Sequence, residues 1–365
     1  MIAHVPSAGE PAPWFARPEI GTFDELAGRH IVLFFFGSAG RRDVAEALAE
    51  FERQAESFDG EHATFIGISN DPDDRELGRL GEPPSGQRYL YDFDFVLTGL
   101  YGLAASGAAA GPDGIRPTIF VISPILQIIG VLALDDPAAL VGRVTALLPD
   151  ASAIRPQGLG EAPVLLVPQI FDAEFCRELI RLHGTTAGSE GGVMIERDGK
   201  SVLEVDRSFK RRFDCEVTSE PARQRIASLI GRRLAPIVDR VFQFRATRVE
   251  RFLIGCYDAS TGGYFRPHRD NTTSSTAHRR FALTINLNAE DYEGGDLRFP
   301  EFGQRTYRAP TGGAIVFSCG LLHEAMPVTR GRRYAFLPFL YDEAAEQLRV
   351  ANKKLVVKNT GERAA

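Results

Sequence analysis

The stretch Gly263-Tyr-Phe-Arg-Pro-His-Arg-Asp270 carries the most informative pattern in this sequence. Its His268 and Asp270 are two residues apart, so on a β-strand both side chains would point to the same face. Another histidine, His323, stands far along the chain. A His-x-Asp triplet is weak on its own, because short polar triplets arise often by chance. Its weight depends on the sequence around it.

Two imidazoles and one carboxylate form a ligand set that leaves part of a metal's coordination sphere open. This set is the facial triad of non-haem Fe(II) oxygenases, in which the open positions accept a cosubstrate and dioxygen. We therefore interpret His268, Asp270 and His323 as candidate metal ligands and catalytic residues.

The sequence around the triplet predicts an all-β domain. Short apolar runs separated by turn residues indicate a double-stranded β-helix, or jelly roll, with flanking helices over residues 172–183 and 219–241. Such a barrel holds a metal in its mouth with ligands from strands that are distant in sequence. The predicted strands are 246–257, 264–268, 280–287, 295–299, 306–307, 313–317, 323–328 and 333–339.

Length and composition set the broad class of the protein. The chain of 365 residues is long enough for about two domains. Hydrophobic residues make up 44%, and the formal net charge of -6 gives no support for a nucleic-acid partner. The four cysteines are widely spaced, which is typical of reduced thiols. No apolar run has membrane-spanning length, so we expect a cytoplasmic protein without a membrane partner.

The N-terminal half has an α/β pattern. The run His30-Ile-Val-Leu-Phe-Phe-Phe36 predicts a strand buried on both faces, and a helix with apolar residues at helical spacing follows it. Residues 63–69, 117–122 and 126–134 are further strand candidates, and a helix over 136–148 closes the pattern.

This half resembles a peroxiredoxin of the thioredoxin fold. The resemblance covers about residues 1–150 and rests on Gly9-Glu-Pro-Ala-Pro13, the Phe-rich strand, Gly67-Ile-Ser-Asn-Asp71 and Arg116-Pro117-Thr118. Thioredoxin folds often carry a cis-proline at the position of Pro117, so the resemblance implies a cis Arg116–Pro117 bond.

One departure from the peroxiredoxin pattern bears on function. A thiol peroxidase needs a cysteine near the start of its first helix, where the helix N-terminus lowers the thiol pKa. Here that region reads Arg41-Arg42-Asp43-Val44, and no cysteine precedes Cys176. Thiol peroxidase chemistry is therefore excluded for this half, and a scaffold or recognition role is expected.

Composition also predicts the domain boundaries. We expect a thioredoxin-like domain over residues 1–150 and a Pro- and Gly-containing linker over 151–162. The jelly-roll domain is expected over 163–342. A C-terminal helix and tail, 343–365, complete the chain.

The C-terminal half resembles the prolyl 4-hydroxylase branch of the Fe(II)/2-oxoglutarate dioxygenases. The resemblance implies Fe(II), 2-oxoglutarate as cosubstrate, ascorbate as a further cofactor, and release of succinate and CO₂. The matching residues are Tyr257, Tyr264, His268-Arg269-Asp270, Leu287-Asn288, Gly294-Gly-Asp-Leu-Arg-Phe299, residues 310–317, His323-Glu-Ala-Met-Pro-Val-Thr329 and Arg333-Tyr334.

The distal carboxylate of 2-oxoglutarate requires a cation inside the barrel. Arg333 is suited to this role because a guanidinium binds a carboxylate through two parallel hydrogen bonds. Arg332 is the competing candidate, but adjacent strand residues face opposite ways, so only one of the two points inward. The family pattern, an arginine directly before Tyr334, favours Arg333.

Four other residues are weaker candidates. Tyr257 could donate a hydrogen bond to 2-oxoglutarate or be an ordinary strand tyrosine. Tyr264 could line the substrate pocket or simply pack. Thr284 and Asn286 are placed by the resemblance on the strand that flanks the cosubstrate.

The charged run from Arg207 to Asp214 also has two interpretations. Such a run is usually a solvated face, which we favour here; the alternative is a patch at the substrate entrance.

The leading hypothesis is thus a 2-oxoglutarate-dependent dioxygenase that hydroxylates a protein, peptide or small molecule. The alternative is a non-catalytic, two-domain binding or scaffold protein that retains a metal site. The sequence does not identify the substrate, and a homodimer is left open.

Overall fold

A computed structural model provides the structure of the protein. The predicted linker over 151–162 lies outside the described residues, except for its last two positions. No described helix has the length and apolar character needed to span a membrane. The structure describes residues 4–103, 111–148, 161–186, 188–197 and 199–357.

The chain divides into two compact units. One comprises Met1–Glu161 with Pro300–Gln304, and the other comprises Ala162–Phe299 with Arg305–Ala365. Each unit has its own buried apolar core.

The N-terminal unit is built on a five-stranded sheet with the order β5-β4-β3-β6-β7. Strand β3 pairs in parallel with β4 and antiparallel with β6, and β6 pairs antiparallel with β7. This connectivity is that of a thioredoxin-like fold, which confirms the predicted fold class. In chain order the elements are β1 (Ala16–Arg17), β2 (Gly21–Thr22), β3 (His30–Gly37), α1 (Arg42–Arg53), β4 (Ala63–Ser69), α2 (Pro72–Glu76), β5 (Gln87–Tyr91), α3 (Val96–Leu100), β6 (Thr118–Ile122), β7 (Ile128–Ala133) and α4 (Pro137–Thr145).

Strand β3 lies at the centre of this unit because both of its faces are apolar. Val32 and Phe34 pack in one core with Phe51 of α1, while Leu33 and Phe35 pack in a second core on the other face. A central strand covered on both sides reads as a continuous hydrophobic run, which is why the sequence identified it.

Two features of this unit differ from the sequence prediction. Strand β5, which pairs in parallel with β4 at the sheet edge, was not predicted, since its sequence mixes polar and aromatic residues. The described residues contain no cis peptide bond, so the prediction of a cis Arg116–Pro117 bond was wrong.

The C-terminal unit contains two larger sheets. One follows the path β14-β25-β17-β24-β15-β13-β9, with β21 paired to β17 and β8 to β21; the other has the order β12-β16-β22-β19-β20. These short, mostly antiparallel strands form the predicted jelly roll. The elements are β8 (Leu165–Val167), α5 (Ala173–Thr185), β9 (Ser189–Glu190), β10 (Val193–Arg197), β11 (Lys200–Glu204), β12 (Lys210–Arg211), β13 (Phe213–Glu216), α6 (Glu220–Leu229), α7 (Ala235–Phe242), β14 (Arg248–Glu250), β15 (Leu253–Asp258), β16 (Tyr264–His268), β17 (Phe281–Asn286), β18 (Glu293–Gly294), β19 (Leu297–Arg298), β20 (Thr306–Tyr307), β21 (Ala314–Ser318), β22 (His323–Ala325), β23 (Val328–Arg330), β24 (Arg332–Phe336), β25 (Phe339–Tyr341), α8 (Glu343–Asn352) and β26 (Val356–Val357).

Helices α5, α6 and α7 cover the outer face of the nine-stranded sheet. Leu179, Ile226 and Val238 from these helices share one buried cluster with Ile254 of β15 and Ile285 of β17. Burial of each such side chain is worth about 1.5–3 kcal/mol. Because strand residues alternate, the opposite face of the sheet is left to line a cavity.

The predicted strand over 246–257 is interrupted. Strand β14 ends at Glu250 and β15 begins at Leu253, and Arg251 between them has a left-handed backbone with φ of 70°. Few non-glycine residues adopt this conformation, and its occurrence beside a cavity makes Arg251 a residue of functional interest.

Candidate functional site

The structure brings the three candidate ligands together. Strands β16 and β22 pair antiparallel with His268 opposite His323. Asp270 lies in the turn just after β16, where its backbone N–H donates to the Cys319 carbonyl at 3.0 Å. The candidate ligand atoms of the three residues lie within 4.8 Å of one another. The premise that Asp270 sits on the strand was wrong, but the turn still directs its carboxylate to the same point.

Both imidazoles are fixed by their backbone contacts. The Nδ1–H of His268 donates to the Arg266 carbonyl at 2.7 Å, and that of His323 donates to the Leu321 carbonyl at 3.0 Å. Carbonyl oxygens only accept, so this arrangement leaves each Nε2 unprotonated. The Nε2 atoms lie 3.7 Å and 3.3 Å from the two carboxylate oxygens of Asp270.

The protonation states suit metal binding. Burial, together with the neighbouring His323, lowers the pKa of His268 to about 3, so this imidazole is neutral at neutral pH. Burial raises the pKa of Asp270, but His323, His268 and Arg279 outweigh burial and hold it below its usual value. A neutral imidazole and a carboxylate are the forms that bind a cation.

A buried network supports Asp270. Arg279 donates to the Asp270 carbonyl at 3.4 Å and to Glu250 Oε1 at 3.0 Å. His278 Nε2 lies 2.6 Å from the other oxygen of Glu250. Burial raises the pKa of Glu250, but His278 and Arg279 lower it to about 2. The network therefore holds the turn that presents Asp270.

Arg333 lines the same cavity as the three ligands. It is 2% exposed, whereas the Arg332 side chain is 62% exposed and pairs with Asp258 at 2.6 Å. The alternation argument thus places Arg333 inward, as expected. Its Nε and Nη1 atoms are buried and have no hydrogen-bond partner among the described residues. The buried hydroxyl of Tyr292 also lacks such a partner.

The weaker candidates separate into two groups. Tyr257 stands opposite Arg333 across β15 and β24, with the Arg333 guanidinium 5.0 Å from its ring, and Thr284 also lines the cavity. Asn286 is not among the cavity-lining residues, and its amide donates to the Ala309 carbonyl at 2.7 Å. Tyr264 does not line the cavity either, because its hydroxyl donates to the Ser208 carbonyl at 2.9 Å.

The charged run from Arg207 to Asp214 was misread. Lys210 is 2% exposed and Arg212 is 7% exposed, so this part of the run is not a solvated face. Arg212 forms a two-point ion pair with Asp214 and also donates to the Tyr257 hydroxyl at 3.3 Å. The sequence feature that could have predicted this burial is the spacing: Lys210, Arg212 and Asp214 lie at every second position of a strand-like segment and so share one face.

Burial lowers the pKa of both Lys210 and Arg251, and Arg251 lines the cavity. Burial and the charge of Arg212 lower the pKa of Lys210 to about 6. The same two causes lower the pKa of Arg251 to about 10. The structure therefore adds cationic side chains that sequence reasoning did not assign to the site.

The residues present fit a ferrous ion and 2-oxoglutarate. Two imidazole nitrogens and a carboxylate converge on one point, which is the donor set of an open-sided iron site. In the same cavity, Arg333 has buried donor atoms that lack an acceptor among the described residues, and a carboxylate would accept from them.

Comparison with known proteins agrees with this chemistry. A PKHD-type hydroxylase of Synechococcus sp. (strain JA-2-3B'a(2-13)) is 35% identical over 97 residues, covering 25% of this chain and 42% of the relative. One from Pseudomonas fluorescens is 40% identical over 91 residues, covering 23% and 39%. PKHD-type hydroxylase PiuC of Pseudomonas aeruginosa is 28% identical over 183 residues, covering 47% and 75%. The chain thus spans less than half the length of the first two relatives.

Solved structures resemble each half. A prolyl hydroxylase from Trichoplax adhaerens, in complex with a hypoxia inducible factor peptide, covers 52% of this chain and 86% of its own, with 17% identity and a TM-score of 0.41. Peroxidoxin BcpB from Mycobacterium tuberculosis covers 41% of this chain and 98% of its own, with 22% identity and a TM-score of 0.32.

One family model matches part of the C-terminal unit. The model described as the 2OG-Fe(II) oxygenase superfamily matches residues 252–341, a stretch that contains all three candidate ligands and Arg333. Over residues 252–341 the chain is therefore similar to the 2OG-Fe(II) oxygenase superfamily.

Proposed function

We propose that the C-terminal unit is an Fe(II)- and 2-oxoglutarate-dependent dioxygenase. It hydroxylates a C–H bond of a protein, peptide or small molecule and releases succinate and CO₂. The observation that carries this proposal is the convergence of His268, Asp270 and His323 in one cavity with Arg333, whose buried Nε and Nη1 lack an acceptor in the described part of the chain.

The three ligands have distinct tasks. His268 and His323 present Nε2, and Asp270 presents a carboxylate oxygen, which leaves the remaining coordination positions for non-protein ligands. When bound, iron together with 2-oxoglutarate supplies the oxidising power to insert an oxygen atom from O₂ into a C–H bond. The backbone contacts of both imidazoles fix the direction in which the ligands point.

Arg333 orients the cosubstrate. Its guanidinium would donate hydrogen bonds to the distal carboxylate of 2-oxoglutarate, and Tyr257 and Thr284 would form the adjacent wall. Because Arg333 is buried, this ion pair is protected from water and is stronger than an exposed one.

Apolar side chains limit the access of water to the ligands. Phe265 stacks on the His268 ring with centroids 3.5 Å apart, and Phe317 lies 4.5 Å from the His323 ring. Leu297 and Ala325 complete this part of the cavity wall. Exclusion of water strengthens the electrostatic contacts within the cavity and protects the reacting groups from side reactions.

The finer features of the proposal concern the cellular setting. The enzyme acts in the cytoplasm, hydroxylates a prolyl-type target as a prolyl hydroxylase does, and uses ascorbate to keep the metal ferrous. The N-terminal unit, which lacks a cysteine, serves as a scaffold or recognition domain.

The proposal is tested by product analysis. The full chain is incubated with Fe(II), 2-oxoglutarate and air in the presence of peptide and metabolite panels, and succinate is measured. We expect stimulators of succinate release whose mass increases by one oxygen atom, and no activity in His268→Ala. Succinate release that is equal in wild type and His268→Ala would refute the assignment.

A non-catalytic binding protein is the second candidate. The absence of any cysteine before Cys176 favours it, because the N-terminal unit cannot carry out thiol peroxidase chemistry. If this candidate is right, the protein binds a metal but does not turn over 2-oxoglutarate in the presence of any substrate tested.

A further inference from the structure

The candidate cavity carries more positive charge than iron and 2-oxoglutarate require. Arg212 and Arg251 both line it, and Lys210 lies with its Nζ 4.9 Å from the ring of Phe265, another lining residue. Asp214 is the carboxylate that faces all three cations. Its Oδ2 lies 2.8 Å from Arg212 Nη2, 3.7 Å from Lys210 Nζ and 3.8 Å from Arg251 Nη2.

Arg251 is the cation that remains without a strong partner. Asp214 is engaged by Arg212 through two contacts, and Arg251 forms no hydrogen bond to any described residue. Its side chain is 25% exposed, so it borders the cavity and can be reached by a ligand. The left-handed backbone at Arg251 places the guanidinium there at a conformational cost.

A charge balance shows what the cavity lacks. With the proposed cofactors bound, the ferrous ion and Arg333 together offset Asp270 and the two carboxylates of 2-oxoglutarate. Asp214 then offsets Arg212, with which it forms a two-point ion pair, and Lys210 donates to the Gly192 carbonyl, which leaves Arg251 as a positive charge with no carboxylate of its own. An uncompensated charge in a partly buried site is unfavourable, and an anionic ligand would compensate it.

We propose that the substrate of this enzyme carries an anionic group, a carboxylate, sulfate or phosphate, that binds Arg251 inside the cavity. This inference rests on the proposed function and identifies the chemical class of its substrate. Arg212, held by Asp214 and Tyr257, forms the rigid wall beside the anion, and Arg251 provides the hydrogen bonds.

Sulfate is the probe for this site. It is titrated calorimetrically into full-length protein loaded anaerobically with Fe(II) and 2-oxoglutarate. We expect one sulfate per chain, and binding weakened about tenfold or more in Arg251→Gln, since a charge-assisted pair is lost. Arg248→Gln, at an exposed position three residues before Arg251, is the matched control and should bind sulfate like the wild type.

Several outcomes separate this inference from its competitors. Sulfate binding that is absent, or unchanged in Arg251→Gln, overturns it. Loss of 2-oxoglutarate affinity in Arg251→Gln also overturns it, because Arg251 would then serve the cosubstrate. If Arg251→Gln does not fold, Arg251→Lys provides the test, since it keeps the charge and should weaken sulfate binding by a smaller factor. Intact sulfate binding in a wild type that gives no Fe(II)–2-oxoglutarate absorption contradicts the proposed function and leaves the anion site standing.

Displacement of bound sulfate distinguishes the sources of the anionic group. Displacement by N-acetylglycine, but not by its amide, indicates a free acid. Displacement by a capped glutamate tripeptide, but not by its glutamine counterpart, indicates an acidic side chain. Displacement by methyl phosphate or methyl sulfate, but by neither carboxylate, indicates a phosphate or sulfate ester. Displacement by none of these compounds shows a site for inorganic anions alone and contradicts the inference about the substrate.

Discussion

Two deeply buried charged side chains, one in each unit, differ in whether their polar atoms find partners among the described residues. In the N-terminal unit, Asp74 is fully buried and accepts from the Ala39 N–H, the Ser69 hydroxyl and Arg79 at 2.8, 2.7 and 3.1 Å. In the C-terminal unit, Arg333 is almost as deeply buried, yet two of its donor atoms have no partner among the described residues.

This contrast separates structural from functional polar groups. A buried group whose hydrogen bonds are made within the protein holds the fold together, as the Asp92 carboxylate does by accepting from the backbone N–H groups of Leu97 and Thr98. A buried group that is left unsatisfied is costly unless a ligand completes it. On this criterion, Asp74 is a structural group of the N-terminal unit, whereas Arg333 marks the candidate site of the jelly roll.

The largest expected effect tests the hydrogen-bond network around Asp74. Asp74→Ala leaves the Ala39 N–H and Ser69 hydroxyl without an acceptor, so we expect the N-terminal unit to lose about 3–5 kcal/mol of unfolding free energy. Denaturant unfolding measures this loss, and exposed Glu76→Ala on the same helix is the control. The Fe(II)–2-oxoglutarate absorption should persist in Asp74→Ala; its loss would mean that the network is not purely structural.

The second largest effect tests Arg333, whose Nε and Nη1 have no partner among the described residues. Arg333→Ala should weaken 2-oxoglutarate binding about 100-fold, since a charge-assisted pair worth roughly 2–3 kcal/mol is lost, while iron binding remains. Arg332→Ala, the exposed neighbour, should leave the affinity unchanged. Anaerobic calorimetry with 2-oxoglutarate measures both. An unchanged affinity in Arg333→Ala would show that the wrong arginine was chosen.

The smallest effect concerns Lys210, which is buried in the site region but bonded to the Gly192 carbonyl. Its pKa is lowered to about 6 in the folded protein, so between that value and its ordinary value of 10.5 the unfolded chain binds more protons. Wild-type stability should therefore rise with pH relative to Lys210→Met, by about 1 kcal/mol per pH unit.

Unfolding in denaturant at pH 6.5, 7.5 and 8.5 measures this slope. Exposed Lys200→Met is the control and should follow the wild type. A pH-independent difference between Lys210→Met and the wild type would mean that Lys210 titrates normally in the folded state.

The sequence predicted much of the site because its signals are local. Alternation along a strand allowed only one of Arg332 and Arg333 to point inward, and the family pattern, an arginine directly before Tyr334, favoured Arg333. The wide separation of His323 from the His-x-Asp pair is typical of a jelly roll, where distant strands become neighbours.

Other features depend on tertiary packing and could not be predicted. The charges of Lys210 and Arg212 suggested solvent, but their burial is made favourable by Asp214, whose proximity only the fold reveals. The break at Arg251 interrupts a run with strong β-propensity, so tertiary structure overrides the local preference there. Asn286 was a weak candidate for the cosubstrate; its amide NH₂ donates to the Ala309 carbonyl, while its buried Oδ1 has no partner among the described residues.

The central claim is that His268, Asp270 and His323 hold one ferrous ion to which 2-oxoglutarate binds. Anaerobic addition of Fe(II) and 2-oxoglutarate to the full chain, followed by visible absorption spectroscopy, tests it most directly. We predict a weak charge-transfer band in the wild type that disappears in His268→Ala. The absence of the band from the wild type, or its persistence in His268→Ala, would contradict the account.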